Sequence, residues 1–226
     1  MQKRRFRSAD MKDMFKRILR ACIGLILFSF GVYLTVQANI GLAPWDAFSM
    51  GLSLHLPIAF GTAAMMVSAL ILAIDILLRE HIGLGSVLDA FLVGASLNVF
   101  EKLNLVPKQT SPVIGVIMMI SGLTIMCFCQ YLYMTAGLCC GPRDTLLVGL
   151  GKRVRKIPIG MVNIGIMACV LLVGFLLGAP VGLGTVISAF GTGMIMQLVF
   201  RLLKFEPRNI VHTGFGEMLS RYHVKA

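Results

Sequence analysis

The sequence predicts an all-α polytopic membrane protein built from two tandem repeats, and three observations carry that prediction. Hydrophobic residues make up 57% of the 226 and charged residues only 14%, with a mean hydropathy of +0.85; soluble domains carry about a quarter charged residues. Six stretches are apolar over about 20 residues, the length that crosses a hydrocarbon core of about 30 Å. The chain also resembles itself: Gly24 to Ser53 aligns without gaps on Gly122 to Gly151, an offset of 98, with ten of thirty residues identical. Self-similarity of this kind marks duplicated structural units.

Taken in order, residues 1–17 form a basic segment, with Lys3, Arg4, Arg5, Arg7, Lys12, Lys16 and Arg17, expected at the cytoplasmic surface by the positive-inside rule. The apolar run Ala21 to Ala38 follows it and has the outline of a secretory signal. The same pattern recurs in mid-chain, where no cleavable signal could act, so it is read as a first transmembrane helix. Long helices are predicted at 18–38, 58–78 and 84–103 in a first unit spanning 18–112. A second unit, 113–205, has them at 113–135, 158–178 and 183–203, each bounded by Gly, Pro or charged residues. Residues 206–226 form a cytoplasmic tail, and the two units make one membrane domain.

Between the first and second long helix of each unit lies a short apolar element, roughly Pro44 to Leu56 and Pro142 to Arg153. Each opens with Pro and carries Asp in its first turn, the composition of a helix start. A dozen residues at about 1.5 Å each reach only part of the way across a bilayer, so these are half- or re-entrant helices, or short spans. With six crossings the repeats are inverted, and Asp46 and Asp144 fall at opposite faces. With eight they are parallel. The charge rule misplaces two basic residues in either arrangement: Lys102 and Lys108, or Arg79 and Arg143.

Ionisable groups at membrane depth are costly and mark candidate sites. Asp46 and Asp144 occupy matching positions, Arg143 precedes Asp144, and Asp89 lies inside a long helix where the second unit has Ser188. Two readings stand for the paired aspartates. They face a common cavity with the backbone N–H groups of the helix starts at Pro44 and Pro142, an arrangement that points to transporter binding sites; or each caps its own short helix beside Trp45. Asp89 is a candidate proton-coupling group or a structural hydrogen-bond partner. Asn98 and Gln197 correspond between units and are further binding candidates, although such amides commonly join helices.

Other chemistry finds little support. The basic residues sit in loops and ends, which argues against nucleic acid and for anionic lipid headgroups. No Walker Lys-Ser/Thr pair, Ser-His-Asp or His-Glu-X-X-His pattern appears, so no enzyme activity, metal or cofactor is expected. Cys127, Cys129, Cys139 and Cys140 match Ser29, Gly31, Gly41 and Leu42, which makes them small packing residues.

The stretch Gly41-Leu-Ala-Pro44-Trp45-Asp46 with Gly51-Leu-Ser53, and then Gly141-Pro142-Arg143-Asp144, resembles the YczE/YitT-type family of bacterial integral membrane proteins. The likeness runs from about residue 18 to residue 205. It implies a multi-pass protein of the bacterial plasma (inner) membrane and supplies no substrate. The function expected is transport of a small solute, with Asp46, Arg143, Asp144, Asp89, Trp45, Asn98 and Gln197 as binding candidates. The alternative is a membrane scaffold that positions a cytoplasmic partner through the basic residues Lys152 to Lys156 and the tail. The lipid bilayer, an unknown small molecule and a second copy of the chain are the expected partners.

Overall fold

The computed structural model describes residues 2–80, 82–138, 141–154 and 156–205, with side chains from Met14 onward. Eight helices occupy these residues: α1 Gln2–Gln37, α2 Pro44–His55, α3 Phe60–Leu77, α4 Leu84–Leu103, α5 Pro112–Met134, α6 Pro142–Arg153, α7 Ile159–Leu176 and α8 Leu183–Leu202. Six of them are long and apolar enough to cross a membrane, α1 from Met14 onward. The predicted boundaries agree to within a few residues, because the residues that end these helices announce themselves in the sequence. Pro44, Pro112 and Pro142 occupy first-turn positions, where a missing N–H costs nothing. Asn39 and Asn104 take the left-handed conformation that stops a helix, at φ 55° and 46°. The basic segment is helical from Gln2 and continuous with the first span in α1. The tail 206–226 lies outside the described residues.

Contacts between helices fix their directions. α1 and α5 run antiparallel down the centre. Gly24 lies beside Tyr133, Gly31 beside Gly122, and Ala38 beside Gly115. The crossing is close because Gly31 and Gly122 face each other: a methyl on Gly31 would stand 2.8 Å from the Gly122 carbonyl, and one on Gly122 would stand 2.7 Å from that of Gly31. α4 runs parallel to α1, with Phe100 at 5.5 Å and 6.1 Å from the rings of Phe30 and Tyr33. α8 runs parallel to α5: Met119 meets Gly184, the Cys127 Sγ lies 3.7 Å from the Thr192 carbonyl, and Tyr131 packs on Phe205. α3 lies antiparallel to α4, with Thr62 on Asn98 and Met65 against Gly94.

The two short helices leave this alternation undisturbed. α2 rises beside α7, with Ala47 and Phe48 against Gly174 and Gly51 against Leu177. α6 descends beside α3, Leu146 packing with Ile71 and Gly149 meeting Glu80. α2 therefore runs towards the end of the bundle that carries Lys102 and Lys108. α6 runs towards the opposite end, where Arg17 donates to the Ala136 and Gly137 carbonyls and Lys152 pairs with Glu80 at 2.6 Å. Each is preceded by a loop that enters the bundle. Ahead of α2, Leu42 N–H donates to Pro180, and ahead of α6 the Leu138 carbonyl accepts from Gly85.

Candidate functional site

A loop that descends into the bundle before its helix places that helix's first turn at mid-depth. α2 and α6 do this from opposite ends, so their N-terminal turns back onto one another. Between them lies a cavity of about 120 Å³ whose polar wall includes Asp46 of α2, Arg143 and Asp144 of α6, Asp89 of α4, Ser68 of α3 and, from α5, Gln130 and Tyr133. Phe28 and Val32 of α1 and Val93 and Leu97 of α4 supply the apolar wall. Four ionisable candidates singled out from sequence are thus brought together. Asp46 and Asp144 do not occupy opposite faces, as an inverted arrangement suggested; both first turns reach the middle, and the helices then diverge.

Arg143 organises the site. Its guanidinium stands 3.9 Å from the Asp46 carboxylate and 5.4 Å from the centre of the Trp45 ring. Asp46 is buried, whereas the Arg143 side chain is one-third exposed, at 33%. At that distance the guanidinium charge makes a cation–π contact with the Trp45 ring. Asp89 lies against the opening of α6: a methyl added to Gly141 would come within 3.1 Å of its carboxylate oxygen. Glycine there lets the carboxylate approach a helix N-terminus, which carries partial positive charge and unpaired N–H groups. The simple capping reading of the aspartates is not what the geometry gives. The residues that flank the helix starts, Ala43 and Gly141, make no side-chain cap, and neither carboxylate bonds its own backbone among the described residues.

The remaining candidates lie elsewhere. Asn98 accepts from the Thr62 N–H at 3.1 Å and donates to its hydroxyl at 2.9 Å, joining α4 to α3. Gln197 sits on the outer surface of α8. Trp45 is buried behind Arg143, and among the described residues its indole N–H has no hydrogen-bond partner. Pro44 and Pro142 are buried at the two helix starts. Cys127 and Cys129 are buried and form no disulfide among the described residues, and Cys139 and Cys140 lie outside them. Among the described residues, no group of three His, Cys, Asp or Glu side chains could hold a metal.

One residue escaped the sequence reading. Asp75, near the end of α3, is fully buried, and neither carboxylate oxygen has a hydrogen-bond partner among the described residues. An acidic residue within a predicted span was its only signal, the same signal that singled out Asp89.

Comparison with known proteins matches these features to a family. The profile of a family described as a family of unknown function, DUF6198, matches residues 15–201. An uncharacterized protein of Haemophilus influenzae is 29% identical over 193 residues, covering 85% of this chain and 87% of the relative. The Bacillus subtilis uncharacterized membrane protein YczE is 30% identical over 177 residues, 77% of this chain and 80% of its own. The uncharacterized protein YyaS of the same organism is 24% identical over 187 residues, 80% and 91% of the two chains. No solved structure matches the chain. With six helices fit to cross a bilayer and bacterial relatives aligned over most of its length, the chain is a multi-span membrane protein that belongs to the DUF6198 family.

Proposed function

We propose that this protein is a small-solute transporter of the bacterial plasma membrane, built as two inverted repeats that cross six times. One observation carries the reading: the first turns of two half-length helices, entering from opposite ends, meet at a mid-bundle cavity bearing Asp46, Arg143, Asp144 and Asp89. Discontinuous helices in corresponding positions of two halves are where many transporters hold substrate and coupling ions. Exposed helix-start N–H groups and a guanidinium suit an anionic group, and the three carboxylates suit a cation or protons, so a small polar solute with ionic character fits.

The repeat reading is supported by helix lengths of 12, 18 and 20 residues in both α2–α4 and α6–α8, and by left-handed residues in register, Asn39 with Gly137 and Arg79 with Gly178. An axis along the membrane normal would leave α1 and α5 parallel, whereas an axis in the membrane plane reverses one of them. Their antiparallel contact therefore favours inverted units. The charge rule then orients the chain with Lys16, Arg20, Lys152, Lys156 and Arg201 in the cytoplasm, and leaves Lys102 and Lys108 outside.

The scaffold reading is weakened by the engagement of its basic residues. Lys152 and Arg153 both pair with Glu80, at 2.6 Å and 3.7 Å, so part of that cluster fastens α6 to α3. The test is flux of candidate solutes into proteoliposomes. Asp46→Asn with Asp144→Asn is expected to abolish it while the protein still folds; flux unchanged in that double variant overturns the assignment.

A further inference from the structure

We propose that the two halves exchange a helix seam: the contact of α3 on α4, closed in this structure, opens as α7 closes on α8, so that the cavity gains an opening towards the Lys102 end only while the α7–α8 seam is shut. The closed seam is made of small residues and one amide. Gly61 of α3 and Gly94 of α4 cross so closely that a methyl on either would run into the carbonyl of the other. One turn further out, Asn98 accepts from the Thr62 N–H and donates to its hydroxyl. Gly94 and Leu97 also line the cavity, so this seam is part of its wall on the side of Lys102 and Lys108.

At the offset of 99 that pairs Gly83 with Gly182, the same set recurs in the other half: Gly160 for Gly61, Gly193 for Gly94 and Gln197 for Asn98. Here nothing fills it. A methyl on Gly160 or Gly193 would meet nothing within 4 Å among the described residues, and both glycines and Gln197 are exposed. Met161 and Ile164, which match Thr62 and Met65, are 62% and 69% exposed. α7 packs on α2 and α6, and α8 on α5; the two share no comparable seam among the described residues. Glycine weakens a helix unless a close approach uses it, and an amide is poorly placed on a surface turned to lipid. Gly160, Gly193 and Gln197 are shaped for a crossing that this structure does not make.

α7 leans instead on α2. Gly174 meets the Ala47 and Phe48 backbone and Leu177 meets Gly51, and among the described residues Gly174 alone of α7 is buried. α3 leans the other way, onto α4. Each of these helices stands between a long helix of its own unit and the half-length helix of the other, and the two halves make opposite choices. The alternative packing of each is displayed by its counterpart: α7 onto α8 as α3 lies on α4, and α3 away from α4 towards α6 as α7 stands off α8 on α2. Because α3 and α7 run in opposite directions, the seams lie at opposite ends, Gly61 towards Lys102 and Gly160 beside the Lys152 to Lys156 segment. Rocking of inverted units that differ in this way gives alternating access around a fixed site. The inference rests on the inverted-repeat part of the proposed function and needs no particular solute.

The experiment is a pulsed electron-spin distance measurement on the full chain in liposomes, cysteine-free apart from the labelled pair. One pair, Ile159 and Leu202, spans α7 and α8 at the basic end; the other, Met66 and Val99, spans α3 and α4; all four positions are exposed. Beside the distance of this structure each pair should show a second, shorter for the first pair and longer for the second, in the same proportion. Gly193→Val has free space here but would strike the facing backbone in a closed seam, as a methyl on Gly94 does. It should cut the second population of both pairs by about tenfold or more, and Gly160→Val, equally free of contacts here, should do the same. A single distance in either pair overturns the proposal, as does a second population that both variants leave unchanged. A short α7–α8 distance that fades when labelled chain is diluted with unlabelled chain also overturns it, because a second copy then fills the groove. Absence of flux in the transport assay would refute transport and leave these distances standing.

Discussion

Replacing Arg143 with methionine keeps an unbranched apolar stem and removes the charge, and the consequence depends on which partner is left behind. At 3.9 Å and an effective dielectric near 20, the attraction between Arg143 and Asp46 is about 4 kcal/mol before desolvation. Desolvation offsets much of this, so the intact pair contributes little net. Loss of Arg143 strands the buried Asp46 carboxylate, which costs about 3 kcal/mol, and loses the cation–π contact with Trp45, about 0.5 kcal/mol at a site one-third exposed. Asp46→Asn instead leaves a guanidinium that reaches water and stays over Trp45, and should cost about 1 kcal/mol. The double variant Asp46→Asn, Arg143→Met should therefore be more stable than Arg143→Met alone. At about 2–4 °C per kcal/mol for a chain of this size, Arg143→Met should lower the unfolding midpoint by about 7–14 °C, with more than half recovered in the double variant. Cys127 and Cys129, both buried, provide the probe: with the other cysteines replaced, a thiol-reactive dye reports their exposure on heating. If Asp46→Asn destabilises as much as Arg143→Met and the double variant shows their sum, the pairing is refuted.

Several other outcomes are expected. Gly31→Val forces the α1–α5 backbones apart where a methyl would already stand 2.8 Å from the Gly122 carbonyl; overpacking of a rigid crossing should cost about 3 kcal/mol, read by the same dye. Gly141→Ala displaces the Asp89 carboxylate from the start of α6 and should reduce flux severalfold with little loss of stability, whereas Asn98→Leu should cost about 1 kcal/mol by unpairing Thr62 and leave the solute affinity unchanged. A cysteine at Lys108 in a cysteine-free chain should react with an impermeant maleimide from outside the cell, and one at Lys156 only after permeabilisation. The reverse pattern would overturn the proposed orientation.

The sequence by itself determined the elements and their partition between lipid and water. Apolar runs of about 20 residues, helix-starting prolines and asparagines that tolerate positive φ act locally, so they leave their mark within a few residues. The same local logic picked out Asp46, Asp89, Arg143 and Asp144, because a charge inside an apolar run is conspicuous wherever the run is placed. What these charges do was decided by the tertiary structure. Local pattern could not say that the loops before α2 and α6 descend into the bundle from opposite ends, bringing Asp46 and Asp144 to one cavity. It could not separate Asn98, spent on Thr62, from Asp89, which opens on that cavity, because both are polar residues on α4 and only the neighbouring helix distinguishes them. The same holds for Asp75 and Gly174: their residue types are plain in the sequence. That one is buried without a hydrogen-bond partner among the described residues while the other seats α7 on α2, across about 125 residues of chain, follows from packing, where hydrogen bonds and van der Waals contacts exist only once the helices have met.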